Sequence, residues 1–189
     1  MEAAAPFALA SVTMAAAAAK KVEAGFRRLP LFKTFNRKCM ATEIAKKPFL
    51  KIALDEAERQ TAVSMLQEHN LPAADLDDDK LLYILFDGDK AVGTAGLEVF
   101  DDFALLRSVS VLNEAQGKGY GRIINEEIEK SVKESGIGWL YLLTTTAKDF
   151  FDRQGYSIIK REEAPDAIRQ TTEFSSLCPA SAVLMKKRI

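Results

Sequence analysis

From residue 49 onward, apolar positions fall alternately into short strand-like runs and into rows spaced by three or four, the pattern of strands alternating with helices. Residues 49–53 read as a short apolar strand. Asp55 and Glu58 follow at N-cap spacing and open a helix in which Val63 and Leu66 share a face and which ends near Asn70 and Pro72. A further short helix is allowed before the next strand. Residues 80–86 and 91–100 are strand-like and joined by Asp87-Gly88-Asp89-Lys90, a strong hairpin signal, and a second hairpin turns at Asp101-Asp102 into a strand over 103–112. Ile124, Ile128 and Val132 then recur every fourth residue within 122–135, which predicts a helix that Gly136 and Gly138 break. Residues 139–144 suggest a strand buried on both faces. A short helix over 147–153, a stop at Gly155, extended structure over 156–160 and a last strand over 182–187 complete the order. The expectation is α/β: one mixed, mostly antiparallel sheet of six to seven strands flanked by about four helices, without internal repeat.

The first 47 residues do not join this pattern. They carry nine Lys/Arg against three acids, a local net charge of +6 that leaves −7 for the rest of a chain whose formal net charge is −1. They include the alanine run 15–19 and no sustained amphipathic period. The uncharged stretch 3–19 is alanine-rich and interrupted by Pro6, too weakly apolar for a membrane span, and Glu2 stands where a secretory signal would carry a cation. Two readings stay open: an organelle transit peptide, with a mitochondrial or plastid destination, or a disordered extension ahead of Met40 on a cytoplasmic protein. The domain boundary is expected between 1–47 and 48–189.

Charge and composition narrow the chemistry. Twenty-six basic and 27 acidic residues give no overall basic excess for nucleic acid or an acidic membrane. Two cysteines, Cys39 and Cys178, and one histidine, His69, argue against a disulfide framework and a His/Cys metal site, so no catalytic metal is expected. His69 reads as a polar residue at a helix end. The run 75–79, with four aspartates, reads as a solvated turn.

The segment 116–121, Gln-Gly-Lys-Gly-Tyr-Gly, leaves a strand and opens a helix, so its free amides and the helix dipole suit a diphosphate. A dinucleotide fingerprint fails because Arg122 stands at the third glycine position. A Walker A loop fails at the same residue.

The pattern that fits is Gln116-x-x-Gly119-x-Gly121, which resembles the coenzyme A pyrophosphate loop of the GNAT superfamily of N-acetyltransferases. The stretch 106–111 resembles that superfamily's pantetheine-pairing strand, and 150–156 resembles its late helix-glycine-aromatic signature. Residues 105–108, 142–147 and the tail from Ala164 through Leu177-Cys178-Pro179-Ala180-Ser181-Ala182 further resemble small acetyltransferases associated with arsenic-resistance operons or amino-acid acetylation. The resemblance covers about 49–189 and implies the GNAT fold and acetyl-CoA as co-substrate, with the acetyl group passing directly to the amine of a small molecule, an amino-acid-like one by the narrower resemblance.

It also implies site residues. Val109, Ser110 and Val111 would hold the pantetheine; Gln116, Gly117, Lys118, Gly119, Tyr120, Gly121 and Arg122 the diphosphate. Glu98 is the candidate general base, on one strand face with Thr94 and Phe100, and Glu173 the alternative. Arg107, Ser108, Thr145, Arg169 and Cys178 are candidate acceptor-site residues, Arg107 and Arg169 as carboxylate binders. Phe151 occupies a cofactor-binding position where many members carry a tyrosine that protonates the departing thiolate, so a dedicated acid is missing. A non-catalytic coenzyme A-binding sensor and an acetyltransferase of protein lysines or N-termini are the other functions in play, and monomer and homodimer both remain open.

Overall fold

The structure, a computed structural model, describes residues 47–77 and 80–189. Residues 1–46, with Cys39 and Met40 and the expected leader or extension, lie outside the described residues. The chain runs through β1 (Phe49–Ile52), α1 (Glu56–Glu68), β2 (Leu81–Asp87), β3 (Lys90–Val99), β4 (Phe103–Val111), α2 (Tyr120–Glu134), β5 (Trp139–Thr144), α3 (Lys148–Arg153), β6 (Ser157–Ile159), α4 (Asp166–Arg169) and β7 (Val183–Arg188). The strands form one seven-stranded sheet in the order β1-β2-β3-β4-β5-β7-β6. Only β4 and β5 run parallel.

Local chemistry explains most boundaries. Asp55 accepts the Glu58 amide at 2.8 Å, and Glu58 accepts the Leu54 amide at 3.0 Å, a reciprocal arrangement that starts α1. Gly119, at φ 84°, turns the chain into α2. Ser135 and Gly136, the latter at φ 79°, end that helix in a left-handed turn that alanine would strain.

The main core lies under α2, where Ile124, Ile128 and Val132 meet Leu85, Leu97, Leu106, Leu140 and Leu142 from the sheet. Each such buried aliphatic side chain contributes about 1.5–3 kcal/mol by leaving water. A buried polar chain crosses this layer. Tyr156 donates to Asn125 Oδ1 at 3.0 Å, Asn125 donates to Glu129 at 2.7 Å, and Lys187 donates to both Glu129 oxygens and to the Gln154 carbonyl. The opposite face is split. α1 covers Leu82 and Ile84, while Leu105, Tyr141 and Leu184 pack against Ala164 and Ile168 from the β6–β7 connector.

Two expectations need correction. Among the described residues the optional helix after α1 is absent, because the Arg59 guanidinium takes the carbonyls of Leu76 (2.9 Å), Asp77 (2.7 Å) and Lys80 (3.2 Å). The expected order also places no helix between the extended stretch 156–160 and the last strand 182–187. Instead a 3-10 turn (Arg161–Glu163), α4 and a π-helical turn (Glu173–Leu177) intervene. Arg161 ties them down by donating to the carbonyls of Phe174 (3.0 Å), Ala182 (3.2 Å) and Pro179 (3.5 Å), while its guanidinium stacks 4.2 Å from the Phe174 ring centroid.

Candidate active site

The site begins where two parallel strands part. β4 and β5 pair only from Phe103 with Trp139 to Leu106 with Leu142. Beyond that, β4 stays with β3 as far as Val111, and β5 stays with β7 through Thr144, so the facing edges open into a wedge. The separation coincides with a bulge in β4, where the register shifts between Thr94 and Gly96 and Ser108 adopts φ 54°. The Ser108 carbonyl accepts from Thr94 Oγ1 at 3.1 Å.

Past the bulge, alternation sorts the backbone. Leu112 donates to Val92 and Ser110 pairs with Thr94, so Ser110 spends its main chain on β3, a correction to its assignment beside the pantetheine. Val109 and Val111 turn theirs towards the wedge. The Val111 carbonyl is met there by Gln116 Nε2 at 3.1 Å, which also reaches Asn113 Oδ1 at 3.1 Å. Gln116 therefore braces the loop with its side chain.

The loop itself is main chain. Gly117 and Gly119 sit at φ 78° and 84°, and the amides of Gly119, Tyr120 and Gly121 have no carbonyl partner among the described residues. They point from the start of α2, where its dipole favours an anion. Lys118 and Arg122 are exposed, Arg122 within 3.4 Å of Glu126. The Tyr120 side chain lies in the core, with its hydroxyl on Asp87, while its amide stays with the loop. Phe151 is also a core side chain, edge-on to Tyr156. The ring beside the loop is Phe150, 3.5 Å from where a Cβ on Gly121 would stand.

On the α1 side of the sheet, Arg107 gathers three carboxylates. Its Nη1 lies 2.5 Å from Asp75 Oδ2 and 2.6 Å from Glu98 Oε1; its Nη2 lies 2.7 Å from Asp75 Oδ1 and 2.8 Å from Glu173 Oε2. The guanidinium is 1% exposed and the three acids 10–12%. Burial opposes the Arg107 charge, but the carboxylates outweigh it and hold it above the ordinary range. Burial raises Glu98 above the usual carboxylate range against the opposing pull of Arg107. Gly96 makes room for this side chain, since a Cβ there would stand 3.0 Å from Arg107 Cγ.

Sequence reasoning thus named Glu98, Glu173 and Arg107 separately, and the structure brings them together. Arg107 is corrected from a carboxylate binder for the substrate to one for the protein's own acids. Asp75, read as part of a solvated turn, is buried in this cluster; no local signal separates it from its acidic neighbours. Cys178 adjoins the cluster through Glu173 Oε1 at 3.2 Å, and burial, with that carboxylate, pushes its thiol up to about 12. Ser108 borders the cluster at the bulge and Thr145 is exposed just past the wedge. Arg169 stays outside it, bonded to Asp166 and to the Glu162 carbonyl at 3.4 Å.

Against known proteins, the family model for the Acetyltransferase (GNAT) domain matches residues 78–158. The chain is 28% identical over 107 residues to the uncharacterized N-acetyltransferase YjcF of Bacillus subtilis (strain 168), covering 54% of this chain and 76% of that protein. It is 38% identical over 87 residues to the uncharacterized N-acetyltransferase CT2212 of Chlorobaculum tepidum, covering 46% and 56%. Among solved structures, it superposes with a TM-score of 0.60 on N-acetylglutamate synthase from Neisseria gonorrhoeae complexed with coenzyme A and L-arginine, at 19% identity over 75% of this chain and 33% of that one. The fold is the GNAT fold, and the matches support an acetyl-CoA-dependent acyltransferase. The chain spans about half of the second curated relative and a third of the synthase. Among the described residues, no helix is long and apolar enough to cross a membrane.

Proposed function

We propose that residues 48–189 form a domain that passes the acetyl group of acetyl-CoA directly to the amine of a small, cationic molecule. The observation that carries this reading is the wedge between β4 and β5, followed along the chain by a loop of open amides, with the buried carboxylate Glu98 on the neighbouring strand β3. Acetyl-CoA supplies the activated thioester. The amides of Gly119, Tyr120 and Gly121, with Lys118, would hold its diphosphate, and the main chain of Val109 and Val111 its pantetheine, in the manner of an added strand. The amine nitrogen attacks the thioester carbonyl carbon, Glu98 Oε2 accepts the nitrogen's proton directly or through water, and the carbon–sulfur bond breaks to release thiolate. Phe151 has no proton to give, and Tyr156 is buried against Asn125, so water protonates the thiolate.

The acceptor's charge follows from the cluster. Three carboxylates surround Arg107, with Lys80 as a further nearby cation, and the excess negative charge favours an ammonium. An amino-acid-like acceptor would have to place its carboxylate elsewhere. The test mixes acetyl-CoA with a panel of diamines, amino sugars and amino acids and follows free thiol. Turnover confined to the cationic amines supports the reading; turnover confined to amino acids overturns its substrate class.

Phe151 favours a second reading, a coenzyme A-binding sensor without catalysis, and tight binding without thiol release would select it. Acetylation of protein lysines or N-termini is a weaker third. The arsenic-associated resemblance draws little from Cys178, whose shielded thiol is a poor ligand for a soft metalloid. We place the protein in the cytoplasm, or in a mitochondrion or plastid if residues 1–47 are a transit peptide; a reporter fused to that segment distinguishes the two. The active unit is a monomer or a homodimer, which sedimentation separates.

A further inference from the structure

The Arg107 fork is full. Each terminal nitrogen carries two N–H groups and has two carboxylate oxygens within 2.8 Å, while Nε is buried without a partner. Asp75 occupies the middle of the fork with both oxygens, and Glu98 and Glu173 flank it, one on each terminal nitrogen. The four residues come from the loop after α1, from the paired strands β3 and β4 and from the π-helical turn of the connector, so one side chain ties the loop and the connector to the sheet. Glu98 makes a single contact through Oε1, and its Oε2 has no hydrogen-bond partner among the described residues.

Resting on the acetyl-transfer reading above, we propose that Arg107 is a positioning residue: it fixes the Glu98 carboxylate by one oxygen and leaves the other directed to the acceptor, while Asp75 and Glu173 consume the rest of its charge. Glu98 then remains a carboxylate only partly compensated, suited to take a proton and return it to solvent. The charged and titratable groups around it are Arg107 on β4, Asp75 and Lys80 on the segment leading into β2, and Glu173 and Cys178 on the connector. Removing Arg107's charge leaves the acids facing one another, so Glu98 must hold its proton more tightly. Neutralising Glu173 has the opposite sign, because it frees a share of the guanidinium for Glu98 and removes a negative neighbour.

The experiment follows the Glu98 carboxyl by carbon NMR in the full chain with labelled glutamate, its resonance assigned by its loss in E98Q, in wild type, R107Q, R107K and E173Q. Arg107→Gln is expected to raise the Glu98 proton affinity at least tenfold and Arg107→Lys by less, with Glu173→Gln lowering it. In parallel, the acid limb of kcat/KM should move to higher pH in R107Q and to lower pH in E173Q, with the KM for acetyl-CoA unchanged in both. A Glu98 titration that stays put in folded R107Q overturns the proposal. Should R107Q fail to fold, E173Q decides, and an unmoved or upward shift there sinks it. The titration needs no turnover, so a wild-type protein that releases no thiol refutes acetyl transfer while Arg107–Glu98 coupling is read separately.

Discussion

The loop at 116–122 and the cluster around Arg107 flank the same strand, β4, yet they are made of different material. The loop is exposed main chain from seven consecutive residues, shaped by glycines at positive φ. The cluster is buried side chain from four distant segments, held by charge. A site of the first kind tolerates many side chains provided the backbone can turn; in one of the second kind, changing any member alters the electrostatics of all the others, because the charges share one buried guanidinium. In the proposed function the loop is the general seat for the carrier, and selectivity for the acceptor is concentrated in the cluster.

The comparison breaks most readily at Glu98. Glu98→Gln is expected to lower kcat/KM about 10²–10⁴-fold, the range for loss of a general base, while acetyl-CoA affinity by calorimetry stays at the wild-type value. The pH profile carries the sign. Burial raises Glu98 in the folded chain, so the ionised base is lost as pH falls through that raised value, and E98Q should lack the acid limb. The same shift makes ionised Glu98 a cost to folding as pH rises from its unfolded to its folded value, so E98Q at neutral pH should melt no lower than wild type. A steep loss of Tm would mean that the residue serves the fold instead.

Next in size is Cys178. With its thiol pushed up to about 12, little thiolate exists at pH 8, and alkylation of Cys178 in a Cys39→Ser background is expected to run at least about a hundredfold slower than for free cysteine. Glu173→Gln should speed it, since that carboxylate is one cause of the raised value. Peptide mass spectrometry reads both rates, and fast modification in the parent would show the cluster to be open to water.

The same contrast explains what could be read in advance. Strand and helix periods, the Asp55 cap, the Asp87–Lys90 hairpin and the glycine loop are local, and the sequence displays them within a few residues of one another. Glu98 was legible as a face, because Thr94 and Phe100 mark it. The Arg107 cluster was not legible as a unit: Asp75 and Glu173 lie 32 and 66 positions from Arg107, and nothing in an acidic loop says which aspartate turns inward. The connector misled for the same reason. Its helical turns are held by Arg161 reaching carbonyls up to 21 residues away, a tertiary tie without a periodic signature. Phe151, within a motif, was misplaced because the motif fixes the backbone and leaves the side chain to the core.

On the loop side the effects should be smaller and specific to coenzyme A. Gly119→Val puts a β-branched residue at φ 84°, at a cost of about 1–2 kcal/mol, so coenzyme A affinity should fall roughly tenfold without a change in the Glu98 titration. A loss of acceptor affinity in place of coenzyme affinity would reverse the division of labour between the two regions.

Lys118→Ala marks the bottom of the scale. Lys118 is an exposed cation on the loop that, in the proposed function, acts through solvent on a diphosphate held by amides, so its removal should weaken coenzyme A binding only a few-fold at low salt. Because screening acts within about 8–10 Å at physiological ionic strength, the deficit should shrink as salt is added. Arg122→Ala should cost less still, since Glu126 at 3.4 Å already offsets part of that charge. If either substitution abolished binding while Gly119→Val did not, side-chain charge and not main-chain geometry would be holding the carrier, and the contrast between an exposed backbone seat and a buried charged cluster would lose its basis.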